Sequence, residues 1–243
     1  MYTSRIVGFG KYQELPFVCF ILASKSMPYR ELRINTLKNR INVFPRKGYE
    51  DHPTNKDPEV DSYSCIRAGM MPSNQGAYLI AFNGHMTKRV EANLKEGMPP
   101  FTALDLTLLD FRGAHDDARI ASLMVAHSDN NHQGYLGVND IDREEKRILK
   151  YPNERIHTLD DRIIFIFDKD TNFEHQKIIS ASDLNAETLA EYLHKNIIDK
   201  EIFFGLGTGI ALWNGSSFNF GAYNHPVDEV IVNQWQLKYQ RSK

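Results

Sequence analysis

A tyrosine and an arginine stand four positions apart in the strand-like stretch from Asp61 to Arg67. Side chains alternate between the two faces of a regular strand, so Tyr63 and Arg67 are expected on the same face. A phenol and a guanidinium on one face suit an anionic ligand that is rich in oxygen atoms. The structural alternative is that Tyr63 packs in a core while Arg67 forms an ordinary surface ion pair. The spacing alone leaves both interpretations open.

Further cationic and amide side chains lie at predicted strand ends and turns. Arg30, with Lys25 and Arg33 close by in the sequence, can help to hold a phosphate group through forked hydrogen bonds. Asn83 precedes Gly84, and its amide can both donate to and accept from the edge of a base or a carboxamide. A plain turn residue is the alternative for Asn83.

A histidine and two carboxylates lie where a predicted helix ends and a predicted strand begins. They are His115, Asp116 and Asp117, and Arg119 follows them closely. Repulsion between adjacent carboxylates can raise the pKa of one of them into a range that is useful for proton transfer. The alternative is a solvated loop in which Arg119 pairs with an aspartate.

The composition restricts the class of partner. The chain has 243 residues, a formal net charge of −2 and 42% hydrophobic residues, which does not favour nucleic acid or a membrane surface as the ligand. The longest apolar run, residues 17–23, is too short to cross a bilayer, and the two cysteines lack the spacing of a zinc site. We therefore expect a cytoplasmic protein with a small-molecule ligand. The sequence is compatible with a homo-oligomer but does not specify one.

Hydrophobic periodicity predicts several strands, then two helices, then strands again with one more helix. The helices are expected from Met86, Pro100 and Ser182 onwards, the first two as an antiparallel pair over one sheet. Because strands and helices are segregated, we expect an α+β fold in a single domain over residues 1–243. The strands are expected at residues 4–9, 17–23, 40–44, 63–68, 78–82, 119–126, 134–139, 147–150 and 162–167, with a hairpin at 210–221.

Two segments carry more specific expectations. The second helix is expected to bury the apolar stripe Phe101, Leu104, Leu108 and Leu109. The glycine-rich segment 205–209 predicts a flexible turn or a close approach of strands, because it does not lie between a strand and the start of a helix as a cofactor-binding loop would.

Several short motifs follow one another along the chain: Met1-Tyr2, Arg5-Ile6, Ser24–Arg30, Tyr63–Arg67, Asn83-Gly84, Phe101–Asp110 and Ala118–Ala121. In this order they resemble the archaeal-type IMP cyclohydrolases of purine synthesis. The resemblance covers the first half of the chain well, is weaker beyond Ala126 and recovers faintly at Trp213-Asn214-Gly215.

This resemblance implies a fold and a reaction. The implied fold is the four-layer αββα sandwich of N-terminal-nucleophile hydrolases, used here without the nucleophile because Met1-Tyr2 offers no Cys, Ser or Thr at the front. The implied reaction closes 5-formamidoimidazole-4-carboxamide ribonucleotide to IMP with loss of water. The ligand would then be a purine ribonucleotide, and no metal or other cofactor is required.

The resemblance also assigns roles to residues. Arg30 matches a family active-site arginine, expected to bind substrate or to stabilise developing charge. Tyr63 matches an active-site tyrosine, expected to donate a proton or to orient the substrate. Residues expected to bind substrate are Arg67, Asn83, Gly84 and Arg119.

One position departs from the family pattern. There a catalytic glutamate directly follows an Asp-aromatic pair near the end of the second helix, whereas here Asp110-Phe111 is followed by Arg112 and the loop to Arg119 is one residue shorter. We expect Asp116 to replace the missing carboxylate, with Asp117 as the alternative. If neither does, the chain is a catalytically altered purine-nucleotide-binding protein or a hydrolase of a related formamide or cyclic amidine.

Overall fold

Two antiparallel β-sheets form the centre of the protein. The computed structural model describes residues 5–23, 29–51, 63–72, 76–84, 86–109, 119–127, 129–140, 144–157, 159, 161–167, 174–197, 205–227, 229 and 232–233. Several residues singled out from the sequence lie outside this part of the chain: Lys25, Arg112, His115, Asp116 and Asp117.

The described residues form thirteen strands and four α-helices. The strands are β1 (Arg5–Tyr12), β2 (Leu15–Ala23), β3 (Arg30–Asn35), β4 (Arg40–Pro45), β5 (Tyr63–Met70), β6 (Ala77–Phe82), β7 (Arg119–Ala126), β8 (Gln133–Asp140), β9 (Glu145–Tyr151), β10 (Arg162–Phe167), β11 (His175–Ile178), β12 (Gly205–Trp213) and β13 (Phe218–Asn224). The helices are α1 (Thr87–Lys95), α2 (Pro100–Leu109), α3 (Asn153–His157) and α4 (Ala186–Ile197). Where the structure describes the chain, no helix combines the length and the apolar character that a membrane crossing requires.

The two sheets differ in how far apart in sequence their neighbouring strands lie. The seven-stranded sheet runs β3-β4-β5-β6-β7-β8-β9, so every strand pairs with the next one along the chain. The six-stranded sheet runs β11-β10-β1-β2-β12-β13 and brings the beginning of the chain against its second half. The β1–β2 hairpin turns at Gln13 and Glu14, which both have positive φ, as the right-handed twist of two-residue hairpins favours.

The main hydrophobic core lies between the sheets. It includes Val7 and Phe20 from the six-stranded sheet, and Ile41, Cys65 and Met124 from the seven-stranded sheet. Glycines in β12 allow the sheets to approach closely: a Cβ on Gly209 would lie 3.1 Å from the Cδ1 atom of Ile41. The expected close approach of strands at residues 205–209 is therefore confirmed.

Each sheet also buries its outer face against helices. Leu189 and Leu193 of α4 pack on the six-stranded sheet, while Val90 of α1 and Leu104 of α2 pack on the seven-stranded sheet. The expected α+β class and the placement of the helix pair over one sheet are confirmed. Two antiparallel sheets with helices on their outer faces are compatible with a sandwich.

Several details of the fold differ from the sequence prediction, and β11 and α3 were not predicted. The strand β3 was not predicted because it is charged, as edge strands often are, and alternates only weakly. The predicted stripe of α2 is partly wrong: Phe101 and Leu109 are 44% and 56% exposed. This helix is apolar on most sides, so residue spacing did not identify its buried face.

A buried histidine makes the stability of the fold dependent on pH. The Nδ1 atom of His132 accepts a hydrogen bond from the backbone N–H of His127 at 3.2 Å, and burial, assisted by the nearby charge of Lys11, lowers the pKa of His132 to about 4. Between pH 6.5 and 4 the unfolded chain therefore binds a proton that the native protein does not, so stability falls as the pH falls. The loss approaches roughly 3 kcal/mol below pH 4.

This loss can be measured by urea unfolding at pH 7 and pH 4.5. We expect His132→Asn, which keeps an acceptor in the place of Nδ1, to reduce the difference in unfolding free energy between the two pH values. The exposed His157 provides the control, and His157→Asn should leave the difference as in the wild type. Equal pH dependence in the wild type and His132→Asn would contradict the prediction.

Candidate active site

Three residues predicted to act on substrate meet at one end of the seven-stranded sheet. β3 begins at Arg30, β5 begins at Tyr63, and Asn83 directly follows β6. The antiparallel register brings these strand ends together, because Arg30 pairs with Pro45 at the end of β4 and Tyr63 pairs with Val43 of the same strand. All three are buried, with exposed fractions of 2%, 6% and 1%.

The three side chains also share the face that looks towards the other sheet. Tyr63 belongs to the inter-sheet core, and so do Leu32 and Ala81, which lie two positions from Arg30 and Asn83. Because strand side chains alternate with period two, Arg30 and Asn83 project from the same face as Tyr63. We refer to Arg30, Tyr63 and Asn83 as the inter-sheet row.

An asparagine from the six-stranded sheet fixes the strand that carries Arg30. The Nδ2 atom of Asn224 donates to the carbonyl of Leu32 at 2.9 Å, and its Oδ1 atom accepts from the N–H of Leu32 at 2.7 Å. The amide thus satisfies both backbone groups of Leu32, as a neighbouring strand would. Arg30 lies two residues before Leu32, so the hydrogen bonds from Asn224 fix the position of Arg30 relative to the opposite sheet.

Two guanidinium groups act on the hydroxyl of Tyr63. Arg5, the first residue of β1 in the opposite sheet, is close enough to hydrogen-bond this hydroxyl, and Arg30 acts on it electrostatically. Burial raises the pKa of Tyr63, and the two arginines offset only part of that effect. The hydroxyl therefore keeps its proton at neutral pH and is available as a hydrogen-bond donor.

The prediction that Tyr63 and Arg67 share a face is wrong, because β5 contains a β-bulge. Ile66 pairs with Ile41, and the next pair joins Ser64 to Asn42, so Cys65 is an extra residue on β5. A bulge shifts the alternation of side chains by one position. Tyr63 and Arg67 therefore lie on opposite faces of β5.

Arg67 projects towards α1 and away from the inter-sheet row. Its Nη1 atom lies 2.7 Å from the Oε2 atom of Glu91, whose other oxygen accepts hydrogen bonds from Tyr78 and Lys95. The alternative interpretation of Arg67 as one member of an ion pair agrees with this arrangement. The structure therefore separates Arg67 from the other residues predicted to bind substrate.

Gly84 and Arg119 lie beside the row at the same end of the sheet. The backbone N–H of Asn83 donates to Ile120 at 3.0 Å, which ties the end of β6 to the start of β7 at Arg119. Gly84 has φ +113°, and a Cβ on it would lie only 2.7 Å from the Nη1 atom of Arg119. The absence of a side chain at Gly84 therefore leaves the space that the guanidinium group occupies.

A buried carboxylate stands at the same end of the sheet. β8 ends at Asp140, which is 8% exposed, and the neighbouring residue Asn139 pairs with Arg119 of β7. Leu136 and Val138 belong to the inter-sheet core, so alternation places Asp140 on the same face as the inter-sheet row. The prediction from the sequence ended this strand one residue earlier and missed it.

Neither cysteine contributes a reactive thiol. Cys19 and Cys65 are free and fully buried, and burial raises the pKa of both thiols far above the neutral range. Both act as small buried hydrophobic residues. Over the described ranges, no three His, Cys, Asp or Glu side chains are grouped so that they could hold a metal ion.

One known protein family matches most of this chain. The family model of IMP cyclohydrolase-like proteins matches residues 2–203. The chain belongs to this family.

Curated relatives agree with this assignment. The IMP cyclohydrolase of Methanococcus maripaludis (strain C5) is 28% identical over 197 residues, which cover 79% of this chain and 87% of the relative. The IMP cyclohydrolase of Methanococcus aeolicus is 29% identical over 143 residues, which cover 58% of this chain and 66% of the relative. The resemblance predicted from the short motifs is confirmed.

The structure brings together two residues that match the IMP cyclohydrolase-like family pattern. Arg30 and Tyr63, the two residues that the resemblance assigns to an active site, lie in one buried row. Asp116 lies outside the described residues and stays a prediction. Sequence reasoning missed Arg5 and Asp140 as site residues, although each is a charged residue at the end of a stretch that is otherwise largely apolar, and that signal could have found them.

Gly84 offers a test of the role of Arg119. We expect Gly84→Ala to raise KM at least about tenfold, because the new Cβ displaces the guanidinium group of Arg119, which is predicted to bind substrate, and to cost about 1–3 kcal/mol through the positive φ. Gly97→Ala is the matched control, since Gly97 also has positive φ but nothing lies within 4 Å of its Cβ position. Steady-state kinetics and thermal unfolding of both variants give the comparison. Similar KM values in the two variants would remove Arg119 from the site.

Proposed function

We propose that this protein is an IMP cyclohydrolase, which closes 5-formamidoimidazole-4-carboxamide ribonucleotide to IMP and releases water. Family membership supports the reaction, and one structural observation supports the place: the hydroxyl of the buried Tyr63 is within reach of Arg5 and feels the charge of Arg30 at the end of the inter-sheet space. The substrate is a purine-precursor ribonucleotide. We place the protein in the cytoplasm.

The proposed chemistry is an intramolecular condensation. The carboxamide nitrogen attacks the formyl carbon of the same molecule, the C–N bond forms, and the formyl oxygen takes up protons and leaves as water. Holding the two groups in contact can supply about 7–11 kcal/mol of the barrier reduction. The reaction needs proton transfer and charge stabilisation, and both can come from side chains.

The inter-sheet row offers groups for charge stabilisation, proton donation and substrate positioning. Arg30 stabilises negative charge as it develops on the formyl oxygen. Tyr63, kept protonated by burial, donates to the same oxygen as it departs. Asn83 hydrogen-bonds the carboxamide and holds its nitrogen towards the formyl carbon.

A carboxylate is also proposed, to accept the proton that the attacking nitrogen loses. We assign this role to Asp116 from the sequence, with Asp117 as the alternative, because Asp116 precedes Arg119 by only three positions. Asp116→Asn should then reduce kcat by about 100-fold or more, as expected for loss of a general base. Asp117→Asn is the matched control. Wild-type kcat in Asp116→Asn would exclude Asp116 as the general base.

The fold of N-terminal-nucleophile hydrolases is proposed on the same basis. Two facing antiparallel sheets with helices outside them support a four-layer αββα arrangement. In this proposal the end of the inter-sheet space is used for substrate, but the chemistry depends on Tyr63 and the arginines rather than on a terminal nucleophile.

The deciding experiment is a cyclisation assay with the purified protein. The formamido ribonucleotide is supplied, IMP formation is followed by absorbance, and IMP binding is measured separately by calorimetry. We expect turnover together with IMP binding. Binding without turnover would indicate a purine-nucleotide-binding protein, which the arginine at position 112 would explain. Absence of both would contradict the proposed function.

A further inference from the structure

Asp140 extends the inter-sheet row towards β8, and the proposed chemistry leaves it without a role. β8 lies three strands from β5 in the seven-stranded sheet. At the usual strand spacing of about 4.8 Å, the backbones at Asp140 and Tyr63 are therefore about 14 Å apart. Arg5 approaches from between them, because β1 packs over β6 and β7. This separation suits contacts with different parts of one nucleotide.

The chemistry of a carboxylate selects the part that Asp140 can bind. An ionised carboxylate only accepts hydrogen bonds, and it repels the phosphate of a nucleotide. The reacting formamide and carboxamide groups are assigned to Tyr63, Arg30 and Asn83 in the proposed function. The ribose hydroxyls remain, and they are O–H donors of the kind that acidic side chains bind in dinucleotide-binding folds.

We infer that Asp140 binds the ribose hydroxyls of the nucleotide and makes the site prefer ribonucleotides to 2′-deoxyribonucleotides. The inference rests on the proposed function, because it takes a purine ribonucleotide as the ligand. Asp140 is thus a specificity-determining residue rather than part of the proton-transfer machinery. Its burial strengthens the interaction, since little water competes for the carboxylate.

The test compares the binding of IMP and its 2′-deoxy form by isothermal titration calorimetry. The wild type is expected to bind IMP about 10- to 100-fold more tightly, the effect of one hydrogen bond to a charged group. In Asp140→Asn the ratio should fall to about threefold or less, through weaker binding of IMP. Asp140→Ala, which removes the acceptor altogether, should give the same low ratio.

A matched control separates this effect from a change of net charge. Asp105 of α2 lies on the outer side of the same sheet and pairs with Lys146 at 2.5 Å. Asp105→Asn removes one negative charge and should keep the wild-type ratio. Thermal unfolding of each variant shows whether it is folded; should both Asp140 variants fail to fold, a wild type without a preference for IMP would still overturn the inference.

The outcomes distinguish this inference from the proposed function. An unchanged ratio in folded Asp140→Asn, or no preference for IMP in the wild type, would overturn the inference whatever the cyclisation assay gives. A lowered ratio in a protein that does not cyclise the formamido substrate would support the inference and contradict the enzymatic function. A wild type that does not bind IMP at all would overturn both.

Discussion

Tyr63→Phe is expected to lower kcat for IMP formation by about 100-fold or more while changing the Kd of IMP by no more than about threefold. The substitution removes a single oxygen from a buried ring that packs edge-on against Phe20 with 6.5 Å between the ring centroids. The ring packing therefore stays intact, while the proposed proton donor and its interaction with Arg5 are lost. Single-turnover rates and calorimetric binding of IMP measure the two effects separately.

A second tyrosine of the same sheet provides the control. Tyr78 is also buried, and its hydroxyl donates to Glu91 at 2.9 Å, but it lies on the α1 side of the sheet. Tyr78→Phe should reduce stability by about 1–3 kcal/mol and leave kcat unchanged. If both variants lose activity to the same extent, the effect of Tyr63→Phe is structural and the hydroxyl has no part in the mechanism.

The pH dependence of the wild type bears on the same hydroxyl. Burial raises the pKa of Tyr63 above its ordinary value near 10, and a raised pKa means that the proton is retained to higher pH. The donor form therefore persists through neutral and mildly alkaline solution. We expect kcat not to decline between pH 7 and about pH 9 on account of Tyr63.

Arg30→Gln is expected to lower kcat/KM by about 1,000-fold, the other large effect. Gln retains hydrogen-bond donors but removes the positive charge that is proposed to stabilise the departing oxygen, and loss of such stabilisation typically costs a factor of about 100 to 1,000 in rate. Weaker binding of the anionic ligand adds to this. Steady-state kinetics with IMP binding measured in parallel would separate the two contributions.

The control for Arg30 lies two strands away in the same sheet. Arg67→Gln removes a partly buried arginine on the opposite face, where it pairs with Glu91 at 2.7 Å. Because Tyr78 and Lys95 still satisfy Glu91, this variant should lose about 1–2 kcal/mol of stability and no activity. Comparable losses of kcat/KM in the two variants would contradict the separation of the two faces.

Local sequence patterns predicted β5, which begins at Tyr63, and β6, which ends just before Asn83, but not β3, which carries Arg30. Strands at Tyr63 and at Asn83 follow from alternation of apolar residues, and the family motifs indicated Tyr63 and Arg30. The face of Arg67 could not be predicted, because the bulge at Cys65 depends on how β4 pairs with β5. That pairing is set by the whole hairpin and its packing, not by the seven residues around Tyr63.

Residues contributed by distant strands were the hardest to predict. Arg5 meets Tyr63 because two sheets face each other, and 58 positions separate them in the sequence. Asp140 joins the row only through the register of β7 with β8. The charged edge strand β3 was missed because its stability depends on Asn224 from the other sheet, a contact that leaves no periodic trace in its own sequence.

The extra residue at Cys65 gives the two faces of β5 separate tasks. Tyr63 lies on the face towards the other sheet, whereas Arg67 lies on the face towards α1. Substitutions at Arg67, Glu91 and Lys95 can therefore adjust the melting temperature without altering turnover. For directed evolution, one face of β5 can thus be varied to raise thermostability while the other face is kept constant. Deletion of Cys65 would remove the bulge, disturb this separation of the two faces and should abolish activity.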